Sequence, residues 1–259
     1  MYEFEFVRPG SVAEAIKALG EDEAQPLSGG QTLIPTLKQR LAMPSKLVSL
    51  TGIAEMQGIT ASGDGVSVGG ATCHADVAAD GTIPALSALA GGIGDPAVRN
   101  RGTIGGSLAN NDPAACYPAA ALGLGATIKT NKREIAADDY FVGLFETALD
   151  EGEIVTAVTF PKPEAANYQK FEQPASRFAL VGVFVAKTGG GVRVAVTGAS
   201  EGGVFRWSAA EEALAKDFSA SALDGMAPDA DGMMSDLHGT AAYRAHLVGV
   251  LTRRAVAAC

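Results

Sequence analysis

The part of the chain that most constrains its fold and its ligand is the glycine-rich stretch at residues 99–113, with the sequence RNRGTIGGSLANNDP. Gly102, Gly105 and Gly106 carry no Cβ, so the backbone can approach a ligand from angles that other residues block. Successive backbone N–H groups in such a segment form a concave site for an anion, and the hydroxyls of Thr103 and Ser107 add donors. We therefore predict that this stretch holds a phosphate group.

A shorter stretch, SGGQTL at residues 28–33, has the same chemistry. It follows a strand-like piece and precedes a predicted helix from Leu33 to Leu41, with Pro35 in the first turn, where its missing N–H costs little. A helix N-terminus offers free N–H groups and a partial positive charge to a phosphate. Taken alone, the stretch is more simply a plain turn. Two such stretches about seventy residues apart are better explained by a diphosphate held from both sides.

The common nucleotide fingerprints are absent from the sequence. No G-x-G-x-x-G opens a βαβ unit, and no G-x-x-x-x-G-K-[ST] is present. These absences argue against a Rossmann dinucleotide site and against a P-loop ATPase. The chain also lacks Ser/His/Asp order, paired catalytic carboxylates and clustered metal ligands, so the protein is expected to hold a cofactor that does the chemistry.

Together the two stretches resemble the two FAD loops of the molybdenum hydroxylase flavoproteins. The resemblance is to the FAD-binding medium subunit of carbon-monoxide-dehydrogenase-type enzymes, related to the flavin domain of xanthine dehydrogenase, and it extends over nearly the whole chain. It implies that the FAD pyrophosphate lies between the two stretches, with glycine N–H groups as donors. The implied cofactor-binding residues are Ser28, Gly29, Gly30, Gln31, Thr32 and Leu33 in the first stretch, and Thr103, Ile104, Gly105, Gly106 and Ser107 in the second.

The same resemblance assigns three further residues to FAD. Asp112 or its neighbours would bind ribityl or ribose hydroxyls, Tyr168 would cover one face of the flavin ring, and Lys170 would stabilise the reduced flavin electrostatically. The residues alone also allow Tyr168 and Lys170 to be ordinary alternating strand residues. One position departs from the relatives, which commonly carry Asp or Glu where this chain has Cys116. That thiol either weakens the ribityl contacts or is a small buried apolar residue.

The expected fold class is α+β. The resemblance implies a two-lobed FAD-binding fold of the vanillyl-alcohol-oxidase/PCMH type, followed by a C-terminal domain with an antiparallel sheet and helices. We place a β-α-β lobe at residues 1–55, a middle α+β lobe at 56–163 and the C-terminal domain at 164–259. Ser11 and Glu14 form a capping box at the first helix, and Gly20 ends it. In the last helix, a stripe for a core or an interface is predicted at Tyr243, Leu247, Val250, Leu251 and Arg254.

The composition of the chain argues against several classes of protein. A net charge of −9 without a basic tract argues against nucleic-acid binding. The apolar runs are too short to cross a bilayer, and the start alternates like a strand rather than a signal peptide, so a cytoplasmic protein is expected. Three scattered cysteines and three scattered histidines indicate no metal site, iron–sulfur cluster or disulfide framework. His74 is expected to be structural rather than catalytic.

The resemblance implies an electron-transfer role within a larger enzyme. Substrate would be oxidised at a molybdopterin cofactor in a large partner subunit, and electrons would pass through [2Fe–2S] clusters of a small subunit to FAD in this chain. The flavin would then reduce a quinone, NAD⁺ or another acceptor, in a heterotrimer that is often doubled. Two alternatives stay open, a free-standing flavin oxidase and a flavin-free scaffold that only docks partners. The substrate of the whole enzyme stays open as well.

Overall fold

The fold is known from a computed structural model that describes all residues from Met1 to Cys259. It combines helices with three main β-sheets and one short hairpin. No helix is long and apolar enough to cross a membrane. Three hydrophobic clusters lie around these sheets, and the three sheets are described in turn.

The first sheet is parallel and has the strand order β1-β3-β2. Its elements are β1 (Glu5–Val7), α1 (Val12–Leu19), β2 (Ala24–Leu27), α2 (Leu33–Lys38) and β3 (Lys46–Ser49). The predicted cap is confirmed, since the Ser11 hydroxyl accepts the Glu14 N–H at 3.2 Å and α1 stops at Gly20. Helix α2 ends at Lys38 rather than at Leu41 as predicted, because Arg40 has a left-handed backbone with φ of 61°.

The second sheet is antiparallel, with the order β4-β5-β10-β6-β7, and helices cover one of its faces. After a 3₁₀ turn at Ala54–Met56 come β4 (Ile59–Ser62), β5 (Gly65–Gly69), α3 (His74–Asp80), α4 (Pro84–Gly91), α5 (Pro96–Arg99), α6 (Ile104–Asn110) and α7 (Tyr117–Leu124). Then follow β6 (Thr127–Thr130), β7 (Glu134–Ala136), α8 (Ala137–Tyr140), β8 (Phe141–Gly143), β9 (Glu146–Thr147) and β10 (Val155–Pro161). Strands β8 and β9 form a separate hairpin, which the sequence analysis did not predict.

Helix α7 begins at Tyr117, although the alanine-rich sequence from Pro113 onward would suit a helix that starts earlier. Residues 112–115 instead form a turn, in which the Asp112 carboxylate accepts the Ala114 N–H at 2.8 Å. The backbone carbonyls of Pro113 and Ala115 accept the hydroxyl of Thr197 at 2.9 and 2.8 Å. This turn therefore fixes residues 112–115 against the C-terminal sheet before the helix starts.

The third sheet is antiparallel, as predicted for the C-terminal part, and has the order β11-β12-β13-β14. Its elements are β11 (Ala165–Glu172), β12 (Ala179–Thr188), β13 (Gly191–Thr197) and β14 (Phe205–Arg206), followed by α9 (Ser208–Lys216), a 3₁₀ turn at Ala220–Leu223 and α10 (Ala241–Ala257). Side chains of β12 alternate between two cores. Phe184 packs with α7, whereas Val183 and Val185 pack with α9 and α10.

The stripe predicted on α10 for a core or an interface lies only partly in the core, and the interface alternative stays a prediction. Leu247 and Leu251 are buried, but Tyr243 and Arg254 are exposed. The buried charged residue of this helix is Arg244, whose guanidinium donates to the carbonyls of Leu180 and Gly198 and pairs with Asp236. The boundaries 1–55, 56–163 and 164–259 between domains stay a prediction.

Candidate functional site

A cavity of about 650 Å³ lies where residues of all three sheets and their connecting loops meet. We call residues 28–33 the Ser28 segment and residues 103–107 the Thr103 segment, and both contribute to the wall. Further lining residues are Gly70, His74, Ile93, Gly94, Asp112, Ala114, Ala115, Cys116, Glu153, Ile154, Val155, Lys170, Ser176, Arg177 and Phe178. The volume is in the usual range for a ligand pocket, roughly 300–1,000 Å³.

The two segments touch each other directly at this cavity. The hydroxyls of Ser28 and Thr103 are 2.7 Å apart and share a hydrogen bond across 75 residues of sequence. Gly29 lies so close to the other chain segment that a Cβ there would be 2.5 Å from the Cα of Gly102. A glycine at position 29 is therefore required for the two segments to meet.

The Ser28 segment supplies unpaired backbone donors. The N–H groups of residues 28–33 have no acceptor within the chain, and Gly30 turns the backbone with φ of +71°. Only Gly29 among these residues is buried, and the stretch leads into the N-terminus of α2, so these N–H groups are open to a ligand or to water. A row of free donors in a cavity wall fits the diphosphate of a dinucleotide such as FAD.

The Thr103 segment offers a side-chain hydroxyl to a ligand rather than the glycine N–H groups that were predicted. Residues 104–110 form α6, with Thr103 as its N-cap. The N–H groups of Gly105 and Gly106 are already engaged, since they donate to the Gly70 carbonyl at 2.9 Å and to the Thr103 hydroxyl at 3.2 Å. The prediction that these glycines donate to the phosphates is therefore wrong. The Ser107 hydroxyl has no partner in the chain and is the free donor here.

Gly105 instead allows close packing. A Cβ at this position would be 2.6 Å from the carbonyl oxygen of Gly70. Ile104 is completely buried in the core below and does not line the cavity. Of the five residues predicted in the Thr103 segment, four thus lie on the cavity wall and Ile104 lies behind it.

The three other predicted residues lie in different environments. Asp112 lines the cavity, with one carboxylate oxygen in the turn to Ala114. Lys170 also lines it, and its ammonium donates to the Gly92 carbonyl at 2.7 Å. Tyr168 does not line the cavity, because its ring packs against Phe184 and its hydroxyl is buried beside Cys116. The structure does not place it over a cofactor bound in this cavity.

His74 is a site residue whose position the sequence analysis missed. It is 5% exposed, its ring lies 5.3 Å from that of Tyr117, and its Nδ1 has no partner. Burial and the nearby Arg99 lower the pKa of His74 to about 4, so the imidazole is neutral at physiological pH. A Cβ on Gly102 would lie 2.6 Å from its Nε2. The glycine of the second stretch therefore makes room for this ring.

Glu153 is a second missed residue, and no motif indicates it. Its buried carboxylate lines the cavity and accepts hydrogen bonds from Thr130 at 2.6 Å, from Arg133 at 3.1 and 3.2 Å, and from the Asp150 N–H at 2.8 Å. Burial opposes the charged form, but these donors outweigh it and lower the pKa of Glu153 to about 2. The carboxylate is therefore fully satisfied and holds this wall together.

The cavity mouth carries residues of the loop between β11 and β12. Arg177 has a left-handed backbone with φ of 60° and reaches the Gly94 carbonyl at 3.5 Å, and the neighbouring Phe178 is 54% exposed. No signal in the sequence places this loop at the site. With Lys170 inside, the cavity presents cations to a ligand although the chain as a whole is acidic.

Comparison with known proteins agrees with this geometry. The profile of the family described as "FAD binding domain in molybdopterin dehydrogenase" matches residues 2–163. The chain is 35% identical to the carbon monoxide dehydrogenase medium chain of Afipia carboxidovorans, over 98% of this chain and 95% of that one. It is 33% identical to the nicotine 6-hydroxylase medium subunit of Paenarthrobacter nicotinovorans, over 97% and 95% respectively.

Solved structures give the same result. A structure of the Cu,Mo-CO dehydrogenase in its cyanide-inactivated form contains a chain that superposes with a TM-score of 0.88 and is 32% identical, covering 98% of this chain and 96% of that chain. Quinoline 2-oxidoreductase from Pseudomonas putida 86 matches with a TM-score of 0.87 at 30% identity, covering 99% and 96%. The predicted resemblance is thereby confirmed, and the chain belongs to the family of FAD-binding medium subunits of the molybdenum hydroxylases.

Proposed function

We propose that this chain is an electron-transfer subunit that binds FAD in the cavity between the Ser28 and Thr103 segments. It would receive electrons from [2Fe–2S] clusters of a small partner subunit and pass them to a quinone, NAD⁺ or another acceptor. The observation that carries the proposal is the direct contact of the two segments beside a row of unpaired N–H groups. FAD, when bound, supplies the exchange of electrons between one-electron and two-electron partners.

Each part of the cavity wall has a proposed task. The N–H groups of the Ser28 segment would bind the pyrophosphate, together with the hydroxyl of Ser107, and Thr103 would hold the two segments together through Ser28. Asp112 can accept hydrogen bonds from sugar or ribityl hydroxyls. Lys170 would place a positive charge beside the cofactor and favour its reduced, more negative form. The structure gives no support for Tyr168 as a ring-covering residue.

The assembly is proposed from the relatives. Their names describe medium chains and medium subunits, so we propose that this chain joins a small iron–sulfur subunit and a large molybdopterin-containing subunit in a cytoplasmic heterotrimer that can dimerise. The first 163 residues would form the two lobes of a PCMH-type fold. The large subunit, and not this chain, would determine which substrate the whole enzyme oxidises.

A visible absorption spectrum tests the proposal. The purified chain, or the chain co-expressed with its genomic neighbours, is expected to show a flavin spectrum and to release FAD on denaturation. Iron–sulfur absorbance in the co-purified sample would support the three-subunit assembly. A colourless protein even after FAD is supplied would refute flavin binding, and reduction of the isolated chain by a small organic substrate would instead indicate a free-standing oxidase.

Replacing Thr103 with valine is expected to weaken FAD binding about tenfold. The change keeps the side-chain volume but removes the hydrogen bond to Ser28 and the cap on the Gly106 N–H. The hydrogen bond that joins the two segments is worth up to about 1.5 kcal/mol, which corresponds to roughly tenfold in affinity. The lost cap is expected to lower the stability of the protein by about 1 kcal/mol. Titration of the apoprotein with FAD, followed by flavin fluorescence, measures the change. Thr60→Val, at an exposed position of β4, is the matched control, and equal affinities of the two variants would contradict the expectation.

A further inference from the structure

Three buried side chains meet beside the cavity near Gly92, and we call Cys116, Tyr168 and Lys170 the Cys116 cluster. Cys116 and Lys170 line the cavity, and Tyr168 does not. The Sγ of Cys116 lies 3.8 Å from the Nζ of Lys170, and the Tyr168 hydroxyl interacts with the same thiol. Cys116 is 5% exposed and the Lys170 side chain 7%. The Tyr168 hydroxyl is buried and has no well-aligned partner. None of the three is a solvated surface group.

The fold explains why these side chains converge. Tyr168 and Lys170 are two residues apart on β11, so they point to the same face of the sheet. Cys116 is the residue before the first turn of α7, which packs on that sheet. Gly182, opposite Lys170 in the strand register, has no side chain and leaves room for the Tyr168 ring. The cluster is therefore fixed by β11, β12 and α7 together.

The charge of the cluster is not balanced by a buried carboxylate. The Lys170 ammonium donates to the neutral Gly92 carbonyl, and its ion-pair partner Glu172 is 3.6 Å away with a side chain that is 48% exposed. Burial raises the pKa of the Cys116 thiol and the pKa of the Tyr168 hydroxyl, so both are uncharged at neutral pH. A buried cation without a buried counterion acts strongly on its surroundings, because little solvent screens it.

We propose that Cys116, as an uncharged residue, leaves the charge of Lys170 unpaired and thereby keeps the reduction potential of the bound cofactor higher than a carboxylate at this position would. Its thiol lies against the ammonium, which the Gly92 carbonyl holds, without neutralising it. A carboxylate at position 116 would form a buried ion pair with Lys170 and cancel the field that favours the added negative charge of the reduced cofactor. This inference rests on the proposed binding of FAD in the cavity.

The test compares flavin midpoint potentials in the FAD-loaded full chain, measured by absorbance during reductive titration against a reference dye. In Cys116→Asp, the ratio of reduced to oxidised flavin at a fixed potential is expected to fall about tenfold, which is about 30 mV for a two-electron couple. Asparagine has nearly the same shape as aspartate but no charge. In Cys116→Asn, the ratio of reduced to oxidised flavin should therefore stay within about twofold of the wild type. Lys170→Met should lower the ratio at least as far as Cys116→Asp.

Two results would overturn the inference. One is an equal midpoint potential in the aspartate and asparagine variants, which would show that charge at position 116 does not reach the flavin. The other is an unchanged potential in Lys170→Met, which decides the question even if Cys116→Asp does not fold. Failure of the wild-type chain to bind FAD is a separate outcome, because it refutes the proposed function before any potential is measured.

Discussion

Replacing Gly29 with alanine is expected to lower FAD affinity by about a hundredfold or more, because it separates the two segments that form the site. The new Cβ would lie against the carbonyl oxygen of Arg101 and 2.5 Å from the Cα of Gly102, and both are backbone atoms that cannot rotate away. Relieving the contact to 3.4 Å opens the gap by about 1 Å. That movement breaks the hydrogen bond between Ser28 and Thr103 and displaces the donors of the Ser28 segment. Losing about two hydrogen bonds to a charged diphosphate, worth roughly 1.5 kcal/mol each, lowers the affinity about a hundredfold.

The measurement is FAD titration of the apoprotein, combined with a thermal melt to show that the variant folds. Gly52→Ala is the matched control, since a Cβ there meets nothing within 4 Å. It should leave both FAD affinity and melting temperature within error of the wild type. If Gly29→Ala binds FAD as tightly as Gly52→Ala does, the close contact of the two segments is not needed for the site.

Much of the site could be predicted because its chemistry is local. Hydroxyl and glycine residues in two short stretches identified the parts of the chain that meet, and the structure brings Ser28 and Thr103 within hydrogen-bonding distance. Strands and helices with clear periodicity or caps, such as α1, were also predicted from the sequence.

What failed depends on contacts between distant parts of the chain. Glycine at 105 suggested a free donor, but its N–H is taken by Gly70, which lies 35 residues earlier. The resemblance implied that Tyr168 covers the flavin ring, whereas the residues alone also allowed an ordinary strand residue, and its hydroxyl lies toward Cys116. The burial of His74 depends on the space at Gly102, and that of Glu153 on donors about twenty residues away. Periodicity and motif spacing carry no information on these pairings.

Replacing Glu153 with glutamine is expected to destabilise the protein by about 2 kcal/mol at pH 7. The amide keeps the shape but loses the charge, and its NH₂ group faces donors that the carboxylate satisfied. A buried donor left without an acceptor costs roughly 1–3 kcal/mol. Urea unfolding followed by circular dichroism measures the difference. Asp150→Asn is the control, because Asp150 is 62% exposed, lies 3.6 Å from Arg133 and should contribute less than about 0.5 kcal/mol.

The stability difference between wild type and Glu153→Gln is expected to depend on pH. The pKa of Glu153 is lowered from 4.5 to about 2 in the folded protein, so the native state holds fewer protons than the unfolded chain between these values. The stability that the carboxylate contributes is therefore complete above about pH 4.5 and is lost as the pH falls toward 2. The difference between wild type and Glu153→Gln should shrink over that window. A difference that stays constant from pH 7 to pH 3 would mean that the ionised carboxylate does not stabilise this wall of the cavity.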